Sequence, residues 1–153
     1  MPSSELQVFD RLLEIALLLQ QDMAQSFEGT ALTASRTHLL WEVHRLGPST
    51  QQALAQALEV TPRNITGLVD ALESAGYLRR QPHPSDRRAT LVTLTDLGTR
   101  TINDMTRQRE EAATQLVSGF DGEELARLVS DLDTLTERLQ LMAQVPRAAR
   151  VTP

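Results

Sequence analysis

The stretch Asp86-Arg87-Arg88-Ala89-Thr90-Leu91-Val92-Thr93-Leu94-Thr95 decides how this chain is read. It follows a proline-rich turn, Pro82-His83-Pro84-Ser85. Two strand-like runs flank that turn, Tyr77 to Gln81 and Ala89 to Leu94, so the segment spells a hairpin. Arginines at a hairpin tip, with one carboxylate beside them, suit an anionic partner. The segment upstream has a helix–turn–helix pattern, and the two together read as a winged DNA-binding module.

Working back from the hairpin, Gly76 ends a helix that Thr61 caps, with Pro62 in its first turn. Ile65, Leu68, Val69 and Leu72 recur at i, i+3, i+4, i+7 and form its inner stripe. The outward face holds Arg63, Gly67, Asp70 and Ser74, with Asn64 and Thr66 on its flanks. Glycine inside a helix costs about 1 kcal/mol relative to alanine. Gly67 either lets the helix backbone approach a groove or marks drift at a solvent position. The preceding helix is short, with Ala53, Leu54, Ala57 and Leu58 inward and Ser49 with Gln52 as a capping box. Before it, Thr33 caps a helix carrying Leu39, Leu40, Val43 and Leu46, and Gly47-Pro48 ends that helix with a left-handed cap.

Asp86, Arg88, Val92, Leu94 and Thr95 spell D-x-R-x-x-x-V-x-L-T, which resembles the wing signature of the MarR family of bacterial transcription regulators. The run from Leu54 through Tyr77 resembles that family's two DNA-binding helices, and the likeness extends from about Leu6 to about Gln144. The fold implied is mainly α with a small β-wing, a winged helix–turn–helix with N- and C-terminal dimerisation helices. Thr61, Arg63, Asn64 and Thr66, at the start of the recognition helix, are expected at base edges, and Thr50, Gln51 and Gln52 at phosphates. Arg88 is expected at the minor groove and Arg87 on phosphate. The resemblance implies that Asp86 pairs with an arginine and braces the tip. His83 is either a turn residue or a further phosphate contact.

Net charge is −5, with 15 basic residues, all arginine, and 20 acidic ones. Five arginines and three acids lie between Thr61 and Thr90, a local +2, which leaves −7 on the rest. A basic patch on an acidic body still attracts phosphate at short range, because salt screens beyond about 10 Å. The absence of cysteine excludes disulfides and thiolate metal sites. The N-terminus lacks the basic start of a secretory signal, so a cytoplasmic protein is expected.

Three helices lie outside the winged region. The first begins at Ser4, boxed with Gln7, and its apolar set (Leu6, Phe9, Leu12, Leu13, Ala16, Leu17, Leu19, Met23) is wider than one buried face requires. It is expected to touch both its own core and a second subunit. A long helix starts at Thr95 or Asp96 and runs to Ser118, about 24 residues or 36 Å. Asp121 with Glu124 starts the last, where Leu125, Leu128, Leu132, Leu135, Leu139 and Met142 step 3-4-3-4-3. Leu6, Phe9, Leu13, Leu128, Leu132, Leu135 and Leu139 are the expected dimer contacts. The organisation expected is residues 1–33 for dimerisation, 34–95 for the winged region, 96–145 for the linking and C-terminal helices, and 146–153 as a mobile tail.

No Ser/His/Asp spacing, glycine-rich phosphate loop or paired carboxylate cleft points to an enzyme, and no metal or cofactor is expected. The family resemblance implies a small, often aromatic, anionic effector where dimerisation helices meet the winged domain. Candidates are Phe27, His38, Trp41, His44 and Met105, although Phe27 and Trp41 taken singly also suit plain core. The expected partners are a near-palindromic operator and a second copy of the chain, with no membrane. A helical winged dimer that binds a protein instead of DNA is the alternative.

Overall fold

A computed structural model describes residues 3–86 and 88–144 of the chain. The elements, in order, are α1 (Ser4–Ser26), α2 (Ala34–Leu46), β1 (Ser49–Thr50), α3 (Gln51–Ala57), α4 (Pro62–Ser74), β2 (Leu78–Pro82), β3 (Thr90–Leu94), α5 (Asp96–Leu116) and α6 (Gly122–Gln144). Compact packing divides the chain into residues 1–106 and 107–153. The expected tail, 146–153, lies outside the described residues, as does Arg87.

The core belongs to the first unit. Leu39, Leu40 and Val43 of α2, Leu54 of α3, Ile65, Val69 and Leu72 of α4, Leu78, Val92 and Ile102 are all essentially inaccessible to water. They form one cluster, so each helix of the winged region contributes one stripe to a shared interior. In α3 the buried pair is Leu54 and Ala55, not the expected Ala53 and Ala57, which are exposed. A helix this short presents only about two turns to the core, and Leu54 fixes which side faces in.

The sheet has three antiparallel strands in the order β1-β3-β2. β3 is central, and Leu91, Val92 and Thr93 are buried in succession, as both its edges and faces are covered. Leu78 pairs with Leu94 and Pro82 with Thr90. Pro82 is tolerated because β2 is an edge strand, where a missing N–H leaves no ladder bond unmade.

Several caps differ from expectation. The first helix is capped by Ser3, whose hydroxyl accepts from the Leu6 N–H, and Ser4 is already helical. Thr50, not Ser49, caps α3 by accepting from the Ala53 N–H. Ser49 is drawn instead into β1, opposite Val92, with its hydroxyl donating to the Gly47 carbonyl. Gly47 has φ +74 and ψ −160, so its φ is positive but its ψ is extended, a region open chiefly to glycine. Thr33, Thr61 and Asp121 cap as expected, and Asp121 and Glu124 make the reciprocal box. α5 ends at Leu116, two residues before the expected Ser118.

No residue of α1 is buried, and Leu12 alone of the helix is half-buried. Leu6, Phe9, Leu13, Leu17 and Leu19 are each about half exposed or more. Among the described residues no helix is long and apolar enough to cross a membrane.

Candidate nucleic-acid interface

The recognition helix α4 is oriented by its buried stripe, which leaves Arg63, Asn64, Thr66, Gly67 and Asp70 exposed on the other side. A Cβ at Gly67 would meet nothing within 4 Å, so packing inside the chain does not require a glycine there. Thr61 is committed to its capping bond with the Asn64 N–H. The Thr66 hydroxyl donates to the Pro62 carbonyl and accepts from Gln51 Nε2 at 3.0 Å.

The start of α3 divides the three residues expected at phosphates. Thr50 is half-buried and serves as the cap. Gln52 is exposed. Gln51 is half-buried and turned inward, where its Oε1 accepts from Arg80 Nη2 at 2.8 Å.

Arg80 is one of the five arginines between Thr61 and Thr90, and its charge is taken up within the chain. Its Nη2 also donates to Asp70 Oδ1 at 2.6 Å, its Nη1 pairs with Glu73, and its backbone N–H donates to Glu73 Oε1 at 2.9 Å. Burial works against the charge, but the hydrogen bonds and charges of Asp70 and Glu73 outweigh it, so the pKa of Arg80 is raised. Arg79 donates across the hairpin to Thr93 Oγ1 at 3.3 Å. Among the described arginines between Thr61 and Thr90, the exposed ones are Arg63 on α4, Arg79 on β2 and Arg88 on the wing.

The wing tip is built from backbone bonds. His83 N–H donates to the Ala89 carbonyl and Ala89 N–H to the Asp86 carbonyl, each at 3.0 Å. His83 Nδ1 accepts from the N–H groups of Ser85 and Asp86, at 3.2 and 3.1 Å. It therefore acts as a turn residue. Asp86 Oδ1 accepts from the Arg88 N–H at 2.9 Å. The brace expected between Asp86 and an arginine thus runs, among the described residues, to that arginine's amide.

The effector candidates fall into two sets. Phe27, Trp41 and Met105 are half-buried and pack against the core cluster. His38 and His44 are exposed, and the His44 ring meets Trp41 edge to face with centroids 6.2 Å apart. One turn before Trp41, the hydroxyl of Thr37 is buried and has no hydrogen-bond partner among the described residues. Threonine on a helix is too common a residue for sequence reasoning to have singled it out.

Comparison with known proteins bears directly on this geometry. Residues 32–90 match the model of the MarR family, a span that runs from the loop before α2 to the first residue of β3. The chain is 29% identical over 135 residues to the HTH-type transcriptional regulator PecS of Dickeya dadantii, covering 86% of this chain and 81% of PecS. It is 27% identical over 144 residues to the HTH-type transcriptional repressor YetL of Bacillus subtilis, covering 91% of this chain and 84% of YetL. The fold is shared with FabT of Streptococcus pneumoniae, solved in complex with DNA: TM-score 0.72, 20% identity, 88% of this chain and 99% of that one. The matched span carries both helices of the helix–turn–helix together with the wing tip, so residues 32–90 are a MarR-type winged helix–turn–helix and the chain is a DNA-binding transcription regulator.

Proposed function

We propose that the protein is a homodimeric repressor that reads a near-palindromic operator in the cytoplasm and is released by a small aromatic or anionic effector. The observation that carries the DNA-reading part is the exposed polar face of α4, with Arg63 and Asn64 at its N-terminal end, beside a wing whose tip presents Arg88. N-terminal residues of a recognition helix meet base edges, arginine pairing best with guanine and asparagine with adenine. Gln52 and Arg87 are assigned to phosphate.

Dimerisation is supported by apolar surface left uncovered. α1 presents Leu6, Phe9 and Leu13 about half exposed, and α6 presents Leu132 and Leu139 at 44% and 49%. Leu128 and Leu135 of the same seam are half-buried within the chain. A monomer rarely leaves apolar patches of this extent in water. A dimer would place two recognition helices about one helical turn apart, roughly 34 Å, which matches a palindromic site. Repression is the direction named for YetL.

The effector site is assigned to Phe27, Trp41 and Met105, with His38 and His44 at its rim. Support comes from the unpartnered Thr37 hydroxyl, because an unmade buried hydrogen bond costs about 1–3 kcal/mol and a polar ligand group would recover it. Titration with small phenolic acids tests this. Trp41 fluorescence should be quenched over the same concentration range in which DNA is released. Quenching without release would leave a ligand that does not regulate, and release without quenching would move the site away from Trp41.

A further inference from the structure

One guanidinium joins three elements of the interface. Arg80 stands in β2, opposite Val92 in the sheet, and its side chain reaches Asp70 and Glu73 on α4 and Gln51 on α3. Gln51 carries the connection onward to Thr66, one turn into α4. The strand that leads into the wing is thus tied along both halves of the recognition helix. The Arg80 side chain is 28% exposed, against 59% for Asp70 and 37% for Glu73, so the carboxylates lie on the outer side of the arrangement. One positive and two negative charges sum to −1, and such a group repels phosphate. Wing and recognition helix must enter adjacent grooves together, so their mutual position decides whether both can dock. Only arginine has the planar fork that meets several acceptors at once; a lysine ammonium has the charge without that geometry.

We infer that Arg80 is a positioning residue of the DNA interface: it fixes the wing against the recognition helix through Asp70, Glu73 and Gln51, and it adds no charge to the phosphate contacts. This rests on the DNA-binding reading above. The same network makes Gln51 a positioning residue and not a phosphate ligand.

The test compares wild type with Arg80→Lys, Arg80→Gln and Asp70→Ala. The probes are a duplex that wild type enriches from a random-sequence pool and an unrelated duplex, each titrated at several salt concentrations. Arg80→Lys should lose operator affinity nearly as much as Arg80→Gln, tenfold or more, while the salt slope of both stays at the wild-type value. Asp70→Ala should also weaken operator binding, although it removes a negative charge beside the DNA. Three results would overturn the inference: wild-type affinity in Arg80→Lys, tighter binding by Asp70→Ala, or a salt slope in Arg80→Gln lower by about 0.9, the signature of one lost phosphate contact. Should Arg80→Gln fail to fold by circular dichroism, Arg80→Lys and Asp70→Ala decide alone. The second even gains helix propensity. A wild-type protein without salt-dependent DNA binding would overturn the DNA-binding reading and this inference together; any contrary variant pattern on a binding wild type overturns the inference only.

Discussion

The α-carbon of Gly98 lies so close to the carbonyl of Tyr77 that a Cβ at position 98 would stand 2.2 Å from the Tyr77 oxygen. The same Cβ would meet Leu94 Cδ2 at 3.0 Å. Thr95 completes the junction. Its N–H donates to the Tyr77 carbonyl, its hydroxyl donates to the carbonyls of Gly76 and Tyr77, and that hydroxyl accepts from the Gly98 N–H. The end of the hairpin and the first turn of α5 are therefore one hydrogen-bonded unit.

Gly98→Ala should accordingly destabilise the protein, although alanine is the better helix former by about 1 kcal/mol. Overpacking against a backbone carbonyl costs about 1–3 kcal/mol, since backbone cannot rotate away as a side chain can. Urea unfolding should show a lower midpoint. A midpoint equal to or above wild type would mean that the close approach relaxes freely.

Glu59 predicts the opposite sign. It is the one residue other than glycine with positive φ among the described residues, at +53, and it lies in the turn between α3 and α4. Val60 N–H donates to the Ala55 carbonyl around it, closing a helix-ending motif that usually employs glycine. A left-handed conformation costs a side-chain-bearing residue roughly 1–2 kcal/mol, and glycine's added freedom in the unfolded chain returns about half of that. Glu59→Gly should therefore stabilise by about 0.5–1 kcal/mol in thermal or urea melts. A loss of stability would show that the Glu59 side chain makes a compensating contact.

At the wing tip, Arg88→Ala should weaken operator binding by about 1–3 kcal/mol and lower the salt slope, with unfolding unchanged. Asp86→Ala should also weaken binding, because Asp86 Oδ1 holds the Arg88 N–H at 2.9 Å. Simple charge removal predicts the reverse, so tighter binding by Asp86→Ala would reject the bracing role.

Much of this was legible in the sequence, and what escaped shares a cause. The helices around the core were readable because Leu39, Val43, Ile65, Val69 and Leu72 recur with helical spacing. The hairpin was readable because Pro82 to Ser85 punctuates two strand-like runs. The strand β1 was not, since two residues, Ser49 and Thr50, carry no periodicity and pair only through tertiary contact with Val92 and Leu91. The role of Arg80, one of the five arginines of the local +2 stretch, was not legible because its partners stand seven, ten and twenty-nine positions away, and no local pattern announces such a meeting. Gly98 escaped for the same reason: the carbonyl that excludes a side chain there belongs to Tyr77. Glu59 hides a glycine-like backbone behind a side chain that gives no hint of it.

Assembly gives a further expectation. Leu132 is 44% exposed and Leu139 49% on one seam of α6. Leu132→Asp would place a charge in the proposed contact between subunits, and an unpaired buried charge costs several kcal/mol. On the proposed assembly, sedimentation should show a dimer for wild type and a monomer for this variant, with operator affinity lost along with the second half-site. A wild-type-like dimer from this variant would put the seam elsewhere.

The most direct measurement is the ratio of affinities for the selected duplex and an unrelated one, for wild type and Arg63→Ala, across a series of salt concentrations. Wild type should prefer its selected sequence by about a thousandfold or more, with affinity falling as salt rises on both duplexes. Arg63→Ala should shrink the ratio far more than it lowers affinity for the unrelated duplex, because base contacts carry sequence and phosphate contacts do not. A wild-type ratio near one, or equal losses on both duplexes in Arg63→Ala, would contradict the reading of DNA sequence by α4.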